Sequence, residues 1–134
     1  MTLDTSAILA VLLDEDERSE FISLISAAPR RLISTVSVLE AAMVLEGRLG
    51  EDAGADLDTF MQRASIETVP FDDDQLVWAR RAFRRYGKGR HRAGLNFGDC
   101  AAYALARWSG EALLFKGADF TATDMASARP PQPT

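Results

Sequence analysis

The chain has 134 residues, 47% hydrophobic and 26% charged, which suits one globular domain, leaves no room for a second and excludes a disordered chain. Its one cysteine, Cys100, excludes an intramolecular disulfide and a cysteine-rich metal site, and no apolar run nears the roughly 18 residues of a membrane span, so a soluble, cytoplasmic protein is expected. The net charge of −5 opposes a general attraction to nucleic acid, yet residues 80–92, RRAFRRYGKGRHR, hold seven of the fifteen Lys and Arg residues and no acid, which makes a basic patch on an acidic body.

The N-terminal MTLDTSAILAVLLDEDE has no basic stretch before its apolar run and acids directly after it, unlike a secretory signal. Within it, a short strand at Thr2–Leu3 leads through Asp4-Thr5-Ser6 into a helix expected over Ala7–Leu13. A second helix, Glu15–Ala28, carries Phe21, Ile22, Leu24 and Ile25 on its apolar face and ends at Pro29. Arg31–Ser34 reads as a strand, and Ser34 or Thr35 caps a helix running to Leu49, stopped by Gly50. Residues 51–65 suit another helix, and Ile66–Val69 a strand closed by Pro70. Asp72-Asp73-Asp74-Gln75 reads as a capping box for a helix to about Tyr86, followed by a basic loop with Gly87, Gly89 and Gly94. Gly98–Ser109 is helical, Ala112–Phe115 is a strand, and a domain of residues 1–126 is followed by a flexible tail, 127–134. Strands alternating with helices predict a three-layer α/β/α fold on a mainly parallel sheet, in which ligands collect beyond the carboxyl ends of the strands.

Four acids fall at that edge: Asp4 after the first strand, Glu40 early in the helix after the second, Asp99 opening a helix, and Asp119 after the last strand. Glu40 has Val36, Met43 and Val44 as helical neighbours, and Asp99 shares a face with Ala102, Tyr103 and Ala106. Carboxylates on such faces are costly unless something positive joins them. Converging carboxylates raise one another's proton affinity, and a divalent cation relieves the repulsion. With oxygen ligands alone the expected ion is Mg²⁺, with Mn²⁺ as a substitute. Singly, each acid also has a plain reading as a cap, a dipole partner, a snorkelling side chain or a turn residue.

The stretches DTSAIL at 4–9, STVSVLE at 34–40, LNFGDCAAYALA at 95–106 and LLFKGADFTATD at 113–124 closely resemble the four motif blocks of PIN-domain ribonucleases, specifically the VapC-type toxins of bacterial toxin-antitoxin pairs. The blocks run in family order over nearly the whole chain, and the third and fourth are the specific ones. The resemblance implies that Asp4, Glu40, Asp99 and Asp119 form the acidic site, with Asp4 and Asp99 the most usual metal ligands. It further implies that Thr5, Ser6, Asn96 and Asp124 support the ligands or order water, and that Lys116 is the common lysine of the last block. The implied function is an Mg²⁺-dependent endoribonuclease toxin acting on RNA and neutralised by a cognate VapB-type antitoxin, as a homodimer that forms a heterotetramer or larger complex. Mg²⁺ held by carboxylates serves the attacking water, the phosphorane and the leaving oxygen of phosphodiester hydrolysis.

Within the basic segment, Arg84, Arg85, Lys88, Arg90 and Arg92 are candidates for RNA phosphates; the plainer reading is a solvated helix end. Tyr86 would stack a base or pack in the core. Cys100 beside Asp99 reads as inert packing, and Trp78 and Trp108 as core residues. Leu9, Leu12, Leu13, Phe21 and Ile25 exceed the needs of one small core and suggest a homodimer surface or a seat for a partner helix. Two other readings fit an acidic pocket. A receiver-type signalling domain needs paired acids after the first strand, where this chain has one, and a non-catalytic PIN scaffold would not need all four acids.

Overall fold

The computed structural model describes residues 1–131. Four parallel strands, β1 (Thr2–Leu3), β2 (Leu32–Ser34), β3 (Glu67–Val69) and β4 (Leu113–Leu114), form one sheet in the order β3-β2-β1-β4. Between them lie α1 (Thr5–Leu12), α2 (Arg18–Ala27), α3 (Thr35–Leu49), α4 (Asp52–Arg63), α5 (Asp73–Tyr86) and α6 (Phe97–Ser109). Because side chains alternate along a strand, the register Leu3↔Ile33 and Leu3↔Leu114 turns these three residues to one face. There they join Ala7, Ile8, Phe21, Ile25, Leu45 and Leu57 of the first four helices. Leu113, on the opposite face, packs with Ala82, Tyr86, Tyr103 and Phe120, while Leu32 meets Val69 and Leu105. The sheet is therefore covered on both sides, the expected three-layer arrangement. Among the described residues no helix is long and apolar enough to cross a membrane.

The predicted elements are present, with ends moved by their caps. Helix α1 starts at Thr5 rather than Ala7 because the Asp4 side chain already accepts the Ser6 amide. Helix α2 starts at Arg18 rather than Glu15, since Asp14 has φ 53° and residues 14–17 turn. Asp72 caps α5, but the expected capping box is incomplete: the Gln75 amide group donates to Pro70 O at 2.9 Å. Trp108 is 43% exposed, not a core residue.

The flexible tail expected from residue 127 is instead held over 127–129. Ser127 pairs with Leu113, the Ala128 amide donates to Leu113 O at 2.8 Å, and Arg129 pairs with Glu20 at 2.6 Å. Residues 132–134 of that tail lie outside the described residues. Phe21 and Ile25 are buried, and Leu9, Leu12 and Leu13 pack against the same cluster, so the apolar surplus of the first helices is used inside the chain. The large apolar side chains left exposed include Leu39 and Met43 on α3, Leu76, Val77 and Phe83 on α5, and Phe97.

Candidate active site

The turn after β1 sets Asp4 at the N-cap of α1, where its Oδ2 accepts from the Ser6 amide at 3.1 Å and the Ser6 hydroxyl at 2.6 Å. The same hydroxyl oxygen accepts the Lys116 amide at 2.9 Å, so the chain leaving β4 is pinned to the first acid through Ser6. Thr5, next in line, donates its hydroxyl to Glu40 Oε1, which ties the second acid to the first turn of α1. Asn96 and Asp99 form a reciprocal capping box at the start of α6: the Asp99 amide donates to Asn96 Oδ1 at 2.9 Å, and the Asn96 amide to Asp99 Oδ2 at 3.0 Å. Asp119 stands exposed in the loop beyond β4. Asp4, Thr5, Ser6, Glu40, Asp99, Lys116 and Asp119 thereby line one cavity of about 220 Å³ with Leu9, Val44 and Phe120.

Burial, opposed by the Ser6 hydrogen bonds and aided by the nearby Glu40 charge, raises the Asp4 carboxyl to about 6. Burial likewise raises Asp99 to about 7 against the opposing Asn96 amide, with Asp4, Asp119 and Glu40 adding repulsion. The charges of Asp4, Asp119 and Glu40 thus all act on Asp99, and that of Glu40 on Asp4 as well. One residue that sequence reasoning missed is Gly98: a Cβ there would stand 2.3 Å from Glu40 Oε2. The missing side chain lets the Glu40 carboxylate lie against the first turn of α6. The signal available in the sequence was a glycine between a capping Asn and an acid, at a helix start where nothing else calls for one.

The remaining predicted residues have other partners. Lys116 points its ammonium to Glu17 at 3.1 Å and Glu15 at 3.4 Å, pairs that hold it above the ordinary lysine value. Asp124 lines a different cavity with Trp78 and Arg107 and accepts the Tyr103 hydroxyl at 2.6 Å. Burial would raise its carboxyl, but Tyr103, Arg107 and Arg85 outweigh that and hold it low. Arg84, Arg85, Lys88, Arg90 and Arg92 are all exposed, Arg85 being partly engaged by Asp124 at 3.4 Å. Tyr86 is a core residue, and burial pushes the Cys100 thiol up to about 11, which makes it a poor nucleophile.

The donor set suits a hard divalent cation: carboxylate oxygens without His or Cys, two of them buried and made basic by burial and mutual repulsion. Among the described residues no three His, Cys, Asp or Glu groups stand at single-ion spacing as placed, so a shared ion would require side-chain rotation.

Comparison with known proteins matches this architecture and its motif order. The PIN domain family model covers residues 1–125. Ribonuclease VapC30 of Mycobacterium tuberculosis is 50% identical over 131 residues, 98% of this chain and all of that protein. Among solved structures, Mycobacterium tuberculosis VapC20, described as a Sarcin-Ricin loop cleaving toxin, superposes with a TM-score of 0.78 at 20% identity, covering 96% of this chain and 98% of that one. VapBC2 from Rickettsia felis, bound to a DNA fragment from its promoter, gives a TM-score of 0.72 at 16% identity, with 94% of each chain covered.

Proposed function

Because the chain belongs to the PIN-domain family, and within it to the VapC ribonucleases, we propose that it is the endoribonuclease toxin of a toxin-antitoxin pair, cutting RNA phosphodiester bonds with Mg²⁺, or Mn²⁺ in its place. The observation that carries this reading is the convergence of Asp4, Glu40, Asp99 and Asp119 on one cavity, with Asp4 and Asp99 buried and raised toward neutrality. Asp4 and Asp99 would hold the ion, each fixed by hydrogen bonds from Ser6 or Asn96. The ion supplies charge neutralisation at the phosphate and activation of the attacking water. Glu40, held by Thr5, and Asp119, on the open side, would orient that water or take its proton. Thr5, Ser6 and Asn96 are positioning residues. Lys116 lines the cavity with its ammonium held by Glu15 and Glu17, and Asp124, held by Tyr103, stands outside it.

The partners follow the same reading. RNA would approach over the exposed Arg84, Lys88, Arg90 and Arg92, since an overall acidic protein needs a local cationic footprint to meet a polyanion. A VapB-type antitoxin would neutralise the enzyme in the cytoplasm; an arginine from it reaching the carboxylates would replace the cation's charge. A homodimer would use apolar side chains the chain leaves exposed, such as Leu39 and Met43, rather than the first helices.

The test is RNA cleavage by the purified chain with Mg²⁺, with Mn²⁺ and with EDTA, beside Asp4→Asn and Asp99→Asn. Activity is expected only with a cation, and each variant should fall at least about 100-fold, as loss of a charge-stabilising group does. Full cleavage in EDTA, or by Asp99→Asn, would reject the proposal.

A further inference from the structure

Lys116 lines the acidic cavity together with Asp4, Glu40, Asp99 and Asp119, yet its ammonium is turned to two other acids, Glu17 Oε2 at 3.1 Å and Glu15 Oε1 at 3.4 Å. Both stand in the turn between α1 and α2, among the acids that close the N-terminal apolar run. Among the described residues Lys116 is the only ion-pair partner of either, since Arg129 is engaged by Glu20 at 2.6 and 2.8 Å. Glu17 Oε2 is shut off from water, so the Lys116 charge is its compensation.

Four carboxylates in one cavity attract any cation on a flexible stem beside them, and Lys116 is such a cation. Its amide is two hydrogen bonds from Asp4: it donates to Ser6 Oγ at 2.9 Å, and the Ser6 hydroxyl donates to Asp4 Oδ2 at 2.6 Å. An ammonium among these acids would relieve the repulsion that a divalent cation relieves, and would compete with that cation for the same oxygens. The two glutamates give Lys116 another seat, one that leaves its side chain 36% exposed and so costs less desolvation than a place among the buried Asp4 and Asp99.

We infer that Glu15 and Glu17 are positioning residues that hold the Lys116 ammonium off the acidic cluster and so keep Asp4, Glu40, Asp99 and Asp119 free for the divalent cation. The inference rests on the reading of the chain as a cation-dependent ribonuclease. It is tested by a double-mutant cycle, read by calorimetric titration of Mg²⁺ at pH 8, above the values of about 6 and about 7 for Asp4 and Asp99, with a thermal melt of each variant. In Glu15→Gln/Glu17→Gln, Mg²⁺ affinity should fall about tenfold, and adding Lys116→Met should regain most of the loss. Lys116→Met in the otherwise wild-type chain should change affinity by less than about twofold, because there the ammonium is already held away. If the double replacement does not fold, Glu15→Gln, at the more exposed of the two acids, carries the same cycle with a smaller fall. A variant that loses Tm but binds Mg²⁺ as the wild type does overturns the inference, since the glutamates then serve the fold alone. So does a Lys116→Met gain of equal size in both backgrounds, the result of a charge that acts from a fixed place. A wild-type chain that binds no Mg²⁺ defeats both this inference and the cation-dependent reading. One that shows the expected cycle but cuts no RNA with Mg²⁺ defeats the nuclease reading alone, and one that cuts RNA with an additive cycle defeats the inference alone.

Discussion

A methyl group at Gly98 would overlap the Glu40 carboxylate, with Oε2 at 2.3 Å and Oε1 at 2.5 Å from the added carbon. Gly98 lies in the first turn of α6 without a positive φ, so alanine meets no backbone strain there and gains roughly 0.5–1 kcal/mol of helix propensity. The clash falls on the far end of a long side chain, which has room to swing away. The folding cost is therefore small, but Glu40 then loses either its hydrogen bond from Thr5 or its place in the cavity. Gly98→Ala should shift unfolding free energy by less than about 1 kcal/mol while lowering the cleavage rate at least about tenfold. Urea melts and single-turnover rates measured on the same preparation check this. An active Gly98→Ala would show that Glu40 has no required position, and that Asp4, Asp99 and Asp119 suffice.

At the scale of elements, the first turn of α6 shows what sequence patterns capture and what they miss. The helix itself was legible from its apolar periodicity, and Asp99 from its position near the start. The reciprocal cap was not, because Asn96-Phe97-Gly98-Asp99 lacks the Ser/Thr and Glu/Gln signature of a capping box. Asp72 to Gln75 comes closer to that signature, yet Gln75 finds Pro70 O instead, a partner set by how β3 leads into α5. The same limit explains the tail: Arg129 and Glu20 meet only because the fold brings residues 109 positions apart together. Trp108 sits on an apolar stripe, but it is in the last turn of α6, beyond the residues that the sheet and α5 cover. The four acids were readable because strand ends and motif blocks mark them, whereas the partners of Lys116 (Glu15 and Glu17) and of Asp124 (Tyr103, Arg85 and Arg107) were not, because they lie far away in sequence. Asn96→Ala removes the cap acceptor and should cost about 1 kcal/mol, or roughly 3–5 °C in Tm. It should also weaken Mg²⁺ binding, since the Asp99 carboxylate loses part of its fixed orientation, and calorimetric titration of the ion reads that change. Asn96→Asp should keep the cap and most of the Tm. Equal Mg²⁺ affinity in Asn96→Ala and the wild type would confine the capping box to helix stability.

For the whole molecule, the concentration of acids in one cavity makes stability, pH and cation a single problem. Asp4 at about 6 and Asp99 at about 7 hold protons more tightly in the folded chain than in the unfolded one, where such groups titrate near the ordinary value of 3.8. The folded state therefore binds more protons between about pH 4 and pH 7. The contribution of these two groups is complete below about pH 4 and is lost as pH rises through 6 and then 7. Asp124 and Glu17, held low by Tyr103 and by Lys116, act in the opposite sense, but a group lowered from 3.8 or 4.5 exerts that effect at and below its ordinary value, under the range pH 5–8. Without a cation, Tm should accordingly fall between pH 5 and pH 8. If Mg²⁺ is held as proposed, it competes with those protons for the folded carboxylates, so its stabilisation should be small at pH 5 and larger at pH 8. Asp99→Asn removes one charge from the cluster and keeps an oxygen acceptor for the Asn96 amide. In EDTA at pH 8 it should be more stable than the wild type by about 1–2 kcal/mol, well under the full shift because water reaches the cavity mouth. The same variant should lose most of the Tm gain with Mg²⁺. Thermal melts across pH 5–8, with EDTA and with Mg²⁺, test all of this at once. A Tm that rises with pH in EDTA, or an Mg²⁺ effect of equal size at both ends and unchanged in Asp99→Asn, would show that the carboxylates neither repel one another in the fold nor share an ion.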